Sequence, residues 1–168
     1  MFFKKTPKFF QKLFPSIIFK IDNTRNDIYL TFDDGPSEKF TNWILQLLNE
    51  LDIKATFFCI GENAKKYPGV IENILKNGHR IGNHTYSHKN AFYYSSKSYI
   101  KDINKCQKII PNTNLFRPPF GKLYPWQISR IKKKYKIIMW DILTYDFYKN
   151  ISSEKIKKNI FNNIQSGS

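Results

Sequence analysis

Two carboxylates, Asp33 and Asp34, stand side by side in Thr31-Phe32-Asp33-Asp34-Gly35-Pro36, and two imidazoles, His84 and His88, close the stretch His84-Thr85-Tyr86-Ser87-His88. Adjacent acids repel, so the pair costs stability unless a cation or a proton neutralises it. Imidazoles four residues apart point the same way on one turn of helix, as metal ligation requires. The plainer alternatives are an Asp-Gly turn with one extra acid and a pair of surface imidazoles. Against the second, the chain has 3 histidines, all between His79 and His88. Two imidazoles plus one carboxylate, with a position left for water, is the stoichiometry of a catalytic Zn²⁺-type site. Either Asp33 or Asp34 completes it.

These residues need elements to hold them. Residues 27–32 are rich in β-branched and aromatic types and read as a short buried strand. Gly35-Pro36 then turns the chain, leaving both acids at the strand's C-terminal lip. Residues 38–51 read as a helix with Phe40, Ile44, Leu47, Leu48 and Leu51 on its apolar face, followed by a strand at 55–60. A helix is expected at 68–76, with Pro68 in its first turn and Gly78 past its end, then a strand at 80–83 running into His84. A helix at 98–110 carries Tyr99, Ile103, Cys106 and Ile110 on one face. A brief strand at 115–116 leads to Arg117-Pro118-Pro119-Phe120-Gly121, where the prolines exclude helix. Helix at 125–134, strand at 136–140 and an amphipathic helix at 153–165 with Ile156, Ile160 and Ile164 complete the pattern, Gly167 being its stop.

Alternating strands and helices of this length predict an α/β fold with a parallel sheet. Asp33-Asp34, His84, Arg117 and the segment from Asp141 to Asp146 each follow a different strand. Four strand ends pooling polar residues on one rim is the pattern of barrel enzymes, so a barrel is preferred over an open sheet.

Composition narrows the partners. At 168 residues the chain is long enough for one domain with a sizeable core. The net charge of +15 suggests an anionic partner. However, Lys, Asn, Ile, Phe and Tyr are all abundant, as codon drift in an AT-rich genome produces, and only Lys132-Lys133-Lys134 forms a lysine run. A nucleic-acid binder therefore ranks last. Cys59 sits in an apolar run and Cys106 in a helix, so both are expected to be reduced. The basic, aromatic stretch 1–19 is broken by Gln11, Lys12 and Pro15, giving no signal-peptide core and no transmembrane span. A cytoplasmic or membrane-peripheral location is expected, with contact between that stretch and a membrane surface left open.

The four motifs together resemble the metal-dependent polysaccharide deacetylases, carbohydrate esterase family four, whose catalytic domain is a distorted (β/α) barrel. Thr31 to Pro36 is similar to the family's first motif, His84 to His88 to its second, and Arg117 to Gly121 to its third. Trp140-Asp141-Ile142-Leu143-Thr144-Tyr145-Asp146-Phe147 is similar to its fourth. The resemblance implies one divalent metal ion, Zn²⁺ first with Co²⁺ or Mn²⁺ as alternatives, held by Asp34, His84 and His88. It implies Asp33 as general base, Arg117 holding Asp33 ionised, and the Phe120 N–H as an oxyanion donor. Asp146 is implied as a further catalytic group, with Tyr86 and Trp140 in the substrate groove. The implied substrate is an N-acetylated glycan, peptidoglycan or chitin-like, and the implied reaction is hydrolysis of its acetamide.

The chain departs from that pattern at two places. Leu143 and Phe147 stand where the family often has Asp and Trp. The family's fifth motif, an apolar strand ending in Leu-x-His whose imidazole protonates the leaving amine, is expected where this sequence reads Gln165-Ser166-Gly167-Ser168. The expectation is thus a segment 1–26, with a first strand in it, and a catalytic domain at 27–168 whose barrel is incomplete at its C-terminus. Losing a general acid costs roughly 10²–10⁴ in rate, about 3–5.5 kcal/mol of barrier. Reduced or absent activity follows, the alternative being an inactive remnant that still binds metal or glycan.

Overall fold

The computed structural model describes residues 4–22 and 25–168. The first three residues of the basic aromatic stretch, and positions 23–24, lie outside the described residues. In chain order the elements begin with α1 (Lys8–Leu13), β1 (Ile17–Ile18), β2 (Thr31–Asp33), α2 (Glu38–Glu50) and β3 (Thr56–Cys59). Next come α3 (Gly61–Lys66), α4 (Pro68–Lys76), β4 (Arg80–Asn83), α5 (Ser96–Gln107) and β5 (Leu115–Phe116). The last are α6 (Pro125–Ile131), β6 (Lys136–Ile138) and α7 (Ser153–Phe161).

Among the described residues these strands form a 6-stranded sheet in the order β1-β6-β5-β4-β3-β2. Every pair from β2 through β6 is parallel, with Phe32 opposite Phe57, Phe57 opposite Ile81, and Asn83 opposite Phe116. Parallel neighbours need crossovers, and the helices between the strands supply them. The α/β class and parallel sheet are as the sequence predicts.

The chain divides into two units, and β6 crosses the boundary between them. In the unit Leu30–Ile137, β3 and β4 carry the core: Phe57, Phe58, Cys59 and Ile81 are buried, with Leu45, Leu48, Ile71, Ile74 and Cys106 from the helices. Each such side chain contributes about 1.5–3 kcal/mol by leaving water. Pro68 opens α4 and Gly78, at φ 77°, follows its end, both where the sequence puts them.

Three sequence expectations shift. The strand expected at 27–32 begins only at Thr31 and lies at one edge of the sheet, with Ile28, Tyr29 and Leu30 exposed. An edge strand has a neighbour on one side only, so its apolar composition overstates its burial. Along α2 the buried residues are Thr41, Leu45 and Leu48, while Phe40, Leu47 and Leu51 face water. The inward face is thus rotated from the apolar stripe, and Thr41 on it satisfies its hydroxyl locally, Oγ1 accepting from the Ser37 N–H at 2.8 Å. Finally α6 stops at Ile131 and α7 at Phe161, and in α7 the buried residue is Asn159, not an isoleucine. Helix ends and faces answer to tertiary packing more than to periodicity.

The other unit joins the chain up to Tyr29 to Ile138–Ser168. Within it the Met139 N–H donates to Ile18 O at 2.8 Å, and Thr6 N–H donates to Asp141 O at 2.7 Å. Asp141 is buried and its Oδ2 accepts from Ser168 Oγ at 2.8 Å, with Lys5 Nζ 4.0 Å away. Asn159 Nδ2 donates to Leu143 O at 2.6 Å, which explains its inward face. No helix among the described residues is long and apolar enough to cross a membrane.

Candidate metal centre and active site

β2 ends at Asp33, and the next residue, Asp34, turns into the left-handed region at φ 69°. The strand's extended path thus ends between the two acids. Asp33 therefore faces Arg117 while Asp34 faces the imidazoles. Asp34 Oδ1 lies 3.3 Å from His84 Nε2 and 3.0 Å from His88 Nε2. One donor atom from each of Asp34, His84 and His88 lies within 4.8 Å of the others. Side-chain contacts with His84 and then His88 hold the Asp34 carboxyl well below the usual carboxylate range, against the opposing effect of its burial.

Each imidazole is aimed from behind. His84 is buried and its Nδ1 lies 2.7 Å from the Arg117 carbonyl oxygen. A carbonyl can only accept, so Nδ1 carries the proton in this contact, and Nε2 is the ring nitrogen left to ligate a cation. Such a tether is the usual support of a metal-ligating histidine. The His88 ring packs against the Phe120 ring, centroids 4.7 Å apart. Two neutral imidazole nitrogens and one carboxylate converging this way fit a borderline-soft divalent cation.

The stretch 84–88 is not a turn of helix, as the four-residue spacing had suggested. It is an irregular loop with Thr85 at φ 63° and His88 at φ 52°. For a β-branched residue such as Thr85 that conformation is strained. Its surroundings over-determine it. Thr85 N–H donates to Asn83 Oδ1 at 2.9 Å, and Asn83, fully buried, anchors to Ile103 O at 3.0 Å. The first N–H groups of α3, from Gly61 and Glu62, donate to Thr85 O and Tyr86 O, both at 2.9 Å. Gly61 must be glycine here, because a Cβ would sit 2.7 Å from the Tyr86 ring and 3.0 Å from Cys106 Cα.

Asp102 of α5 completes the clamp. Its Oδ2 accepts from Tyr86 N–H at 2.9 Å and Ser87 N–H at 3.1 Å, and its Oδ1 from Ser87 Oγ at 2.9 Å, with Lys89 Nζ at 3.4 Å. Sequence reading missed Asp102, Asn83 and α3. The one available signal was an acid, Asp102, on the apolar face of the helix with Tyr99, Ile103 and Cys106.

Arg117 is buried, and its Nη1 donates to Asp33 Oδ1 and to Thr31 Oγ1, each at 2.8 Å. Its guanidinium also lies 4.2 Å from the Phe58 ring centroid. Burial works to lower the guanidinium's pKa, and the Asp33 carboxylate opposes that by charge and hydrogen bond. The result is a carboxylate oriented by a buried cation. Phe120 takes φ 60° inside the turn Pro119–Gly121.

The remaining expected residues fall elsewhere. Tyr86 is a member of the hydrophobic core, with Lys105 Nζ 3.5 Å from its ring centroid. Its ring thus packs inward behind the loop. Asp146 and Trp140 belong to the other unit, where Asp146 Oδ1 accepts from Thr144 Oγ1 at 2.5 Å and Trp140 O accepts from Thr6 Oγ1 at 2.7 Å. His79 is buried outside the cluster, its Nδ1 accepting from Ala55 N–H at 3.3 Å. Cys59 and Cys106 are free, buried thiols, as expected.

A parallel α/β sheet with one carboxylate and two imidazoles converging at its strand ends defines a class of α/β protein with a candidate cation site, not a particular protein. Comparison with known proteins makes the assignment specific. The sequence profile of the family described as polysaccharide deacetylase matches residues 20–140, and the chain belongs to that family. It is 37% identical over 148 residues to a peptidoglycan-N-acetylglucosamine deacetylase of Bacillus cereus, covering 84% of this chain and 54% of that protein. The chain spans between 28% and 62% of the length of the curated relatives it matches. The crystal structure of the Bc1960 peptidoglycan N-acetylglucosamine deacetylase superposes with a TM-score of 0.87 at 34% identity, covering 97% of this chain and 78% of that one. That likeness makes the fold the distorted (β/α) barrel of the family. A mutant of BA3943, a family-four pseudoenzyme with restored activity, superposes with a TM-score of 0.83 at 26% identity over 92% of this chain and 58% of that one.

Proposed function

We propose that the chain hydrolyses the acetamide of N-acetylated glycans, peptidoglycan above all, with one divalent metal ion held by Asp34, His84 and His88. The observation that carries this reading is the separation of roles between neighbouring acids. Asp33 is paired to Arg117 at 2.8 Å, and Asp34 is turned to the two imidazoles at 3.0 and 3.3 Å. The peptidoglycan deacetylases among its relatives support the substrate class.

When bound, a divalent cation, Zn²⁺ before Co²⁺ or Mn²⁺, supplies Lewis-acid polarisation and lowers the pKa of water. The chain's own residues do the rest. Asp33 accepts the proton of the attacking water at its carboxylate, and Arg117 keeps that carboxylate ionised and aimed. The Phe120 N–H donates to the oxygen that becomes negative as the carbonyl carbon is attacked. The leaving amine must then gain a proton. The only imidazole besides the ligand pair is His79, which is buried outside the cluster, so slow turnover by these 168 residues is part of the proposal.

A second reading, a binding protein with little or no turnover, draws support from Leu143 and Phe147 in the fourth motif and from the likeness to the BA3943 pseudoenzyme. One assay separates the two. Acetate release from peptidoglycan and from an N-acetylglucosamine oligomer is measured after metal reconstitution. Release that Asp33→Asn and His84→Ala/His88→Ala both abolish supports hydrolysis. Metal-dependent glycan binding without release supports the second reading, and neither binding nor release refutes both.

A further inference from the structure

The loop that follows His88 and the loop that follows Arg117 run beside each other and repeat a ring contact. The His88 and Phe120 rings meet at 4.7 Å between centroids. Four residues further along each loop, Phe92 and Tyr124 stack at 4.5 Å with 28° between their planes. Tyr124 then stacks on Trp126 at 4.4 Å and 9°. Two near-parallel neighbours at such distances must take opposite faces of Tyr124, so the three rings form one pile. It starts from the metal-ligand loop and ends on Trp126.

The pile is built rather than incidental. Gln127 is fully buried, its Oε1 accepting from Tyr124 N–H at 2.9 Å and its Nε2 donating to Ala91 O at 3.2 Å. One amide thus fixes the spacing between the two aromatic loops, using both its acceptor and its donor. Yet the pile stays in water: Phe92 is 42% and Trp126 57% exposed. A core would have covered them.

We propose that Phe92, Tyr124 and Trp126 form a sugar-stacking subsite, in which the open face of Trp126 takes a pyranose ring of a glycan strand a few units from the acetamide at Asp34, His84 and His88. This rests on the reading of that centre as an acetamide hydrolase. A pyranose presents a face of C–H bonds, whose positive ends meet the negative face of an indole. Its hydroxyls stay at the rim in water, so no polar group is buried unpaired. A single flat ring is too small for a protein partner, which needs some 800 Å² per side, but it matches one sugar. Rings already stacked lose little freedom on binding, so the gain is not offset by ordering. The Cα atoms of Phe120 and Tyr124, four residues apart, are within about 14 Å of each other. A strand of several sugars can therefore span from Phe120 to Trp126.

The test is calorimetric binding of N-acetylglucosamine tetramer and monomer to the whole chain, with and without Zn²⁺. Trp126→Ala is expected to weaken tetramer binding roughly tenfold, the size of one ring-stacking contact, and to leave monomer binding unchanged. Trp126→Phe should keep most of the affinity, and Trp43→Ala, an exposed tryptophan on α2, should keep all of it. Thermal melting of each variant checks that it folds. No tetramer binding by the unmodified chain, equal binding by Trp126→Ala, or equal loss in Trp43→Ala overturns the subsite. Tetramer binding that depends on Trp126 without acetate release overturns the proposed activity and leaves the subsite standing.

Discussion

The main-chain carbonyl of Arg117 accepts from Nδ1 of His84 at 2.7 Å, while the side chain of the same arginine holds Asp33 at 2.8 Å. One buried residue just after β5 therefore orients both a proposed metal-ligand imidazole and the proposed base, through two chemically separate groups. A side-chain substitution can cut one connection and leave the other.

Arg117→Lys separates them. The carbonyl remains, so His84 keeps its tautomer and metal affinity should change by less than about threefold, within the scatter of positioning effects. A lysine ammonium ends a shorter side chain with no planar guanidinium to pack on the Phe58 ring, so its nitrogen is not held where Nη1 meets Asp33 and Thr31. Deacetylation should fall by at least about 10²-fold. Zn²⁺ titration and acetate release, run on one preparation, check both halves. Loss of metal binding would show that the tether runs through the side chain.

Asp33→Asn and Asp34→Asn should fail in opposite ways. The first keeps metal binding and abolishes activity, because an amide accepts no proton near neutral pH. The second loses the metal together with activity, since it removes the one carboxylate among the proposed ligands. Competition with a chromogenic chelator reads metal affinity independently of turnover. If the metal is lost from Asp33→Asn and kept by Asp34→Asn, the assigned roles are reversed.

Asp102→Ala removes the acceptor of three hydrogen bonds that brace the loop between His84 and His88. Two of the stranded donors are main-chain N–H groups, each costing about 1–3 kcal/mol when buried and unpaired. Metal affinity should drop about 10–100-fold, as for other residues that orient ligands, with a lower melting temperature. Asp102→Asn, which keeps an acceptor, should fall between. Unchanged affinity in the alanine variant would mean that the loop holds its strained φ angles without the clamp.

His79 governs a pH effect. Burial pushes its imidazole below the ordinary 6.5, and nearby Lys54 adds to the shift. The unfolded chain then binds more protons than the folded one as acid is added. Stability from this group is present above about pH 6.5 and is lost as pH falls through the lower folded value. His79→Asn places an amide oxygen where Nδ1 accepts from Ala55, and it should flatten that slope. Urea unfolding of the metal-free chain across the acid range measures it. A parallel slope in the variant would show that the effect does not come from His79.

The sequence by itself determined the inventory and its order. Strand, acid pair, strand, imidazole pair, strand and arginine are local patterns, read from β-branched runs, Pro-Gly turns and spacing. The parallel pairing of β2 to β6 follows from that alternation, and Pro68 and Gly78 delimit α4 by local backbone chemistry alone. The tertiary structure decided what those residues face. The spacing of His84 and His88 suggested a helical turn, but hydrogen bonds from Asn83, Asp102 and α3 hold a left-handed loop that no local preference favours. Which acid turns to the imidazoles depends on the left-handed turn at Asp34 and on Arg117, 84 residues from Asp33. The inward face of α7 carries Asn159, whose hydrogen bond to Leu143 O a count of apolar positions overlooks. Contacts between residues distant in sequence carry no period, so only the folded chain reveals them.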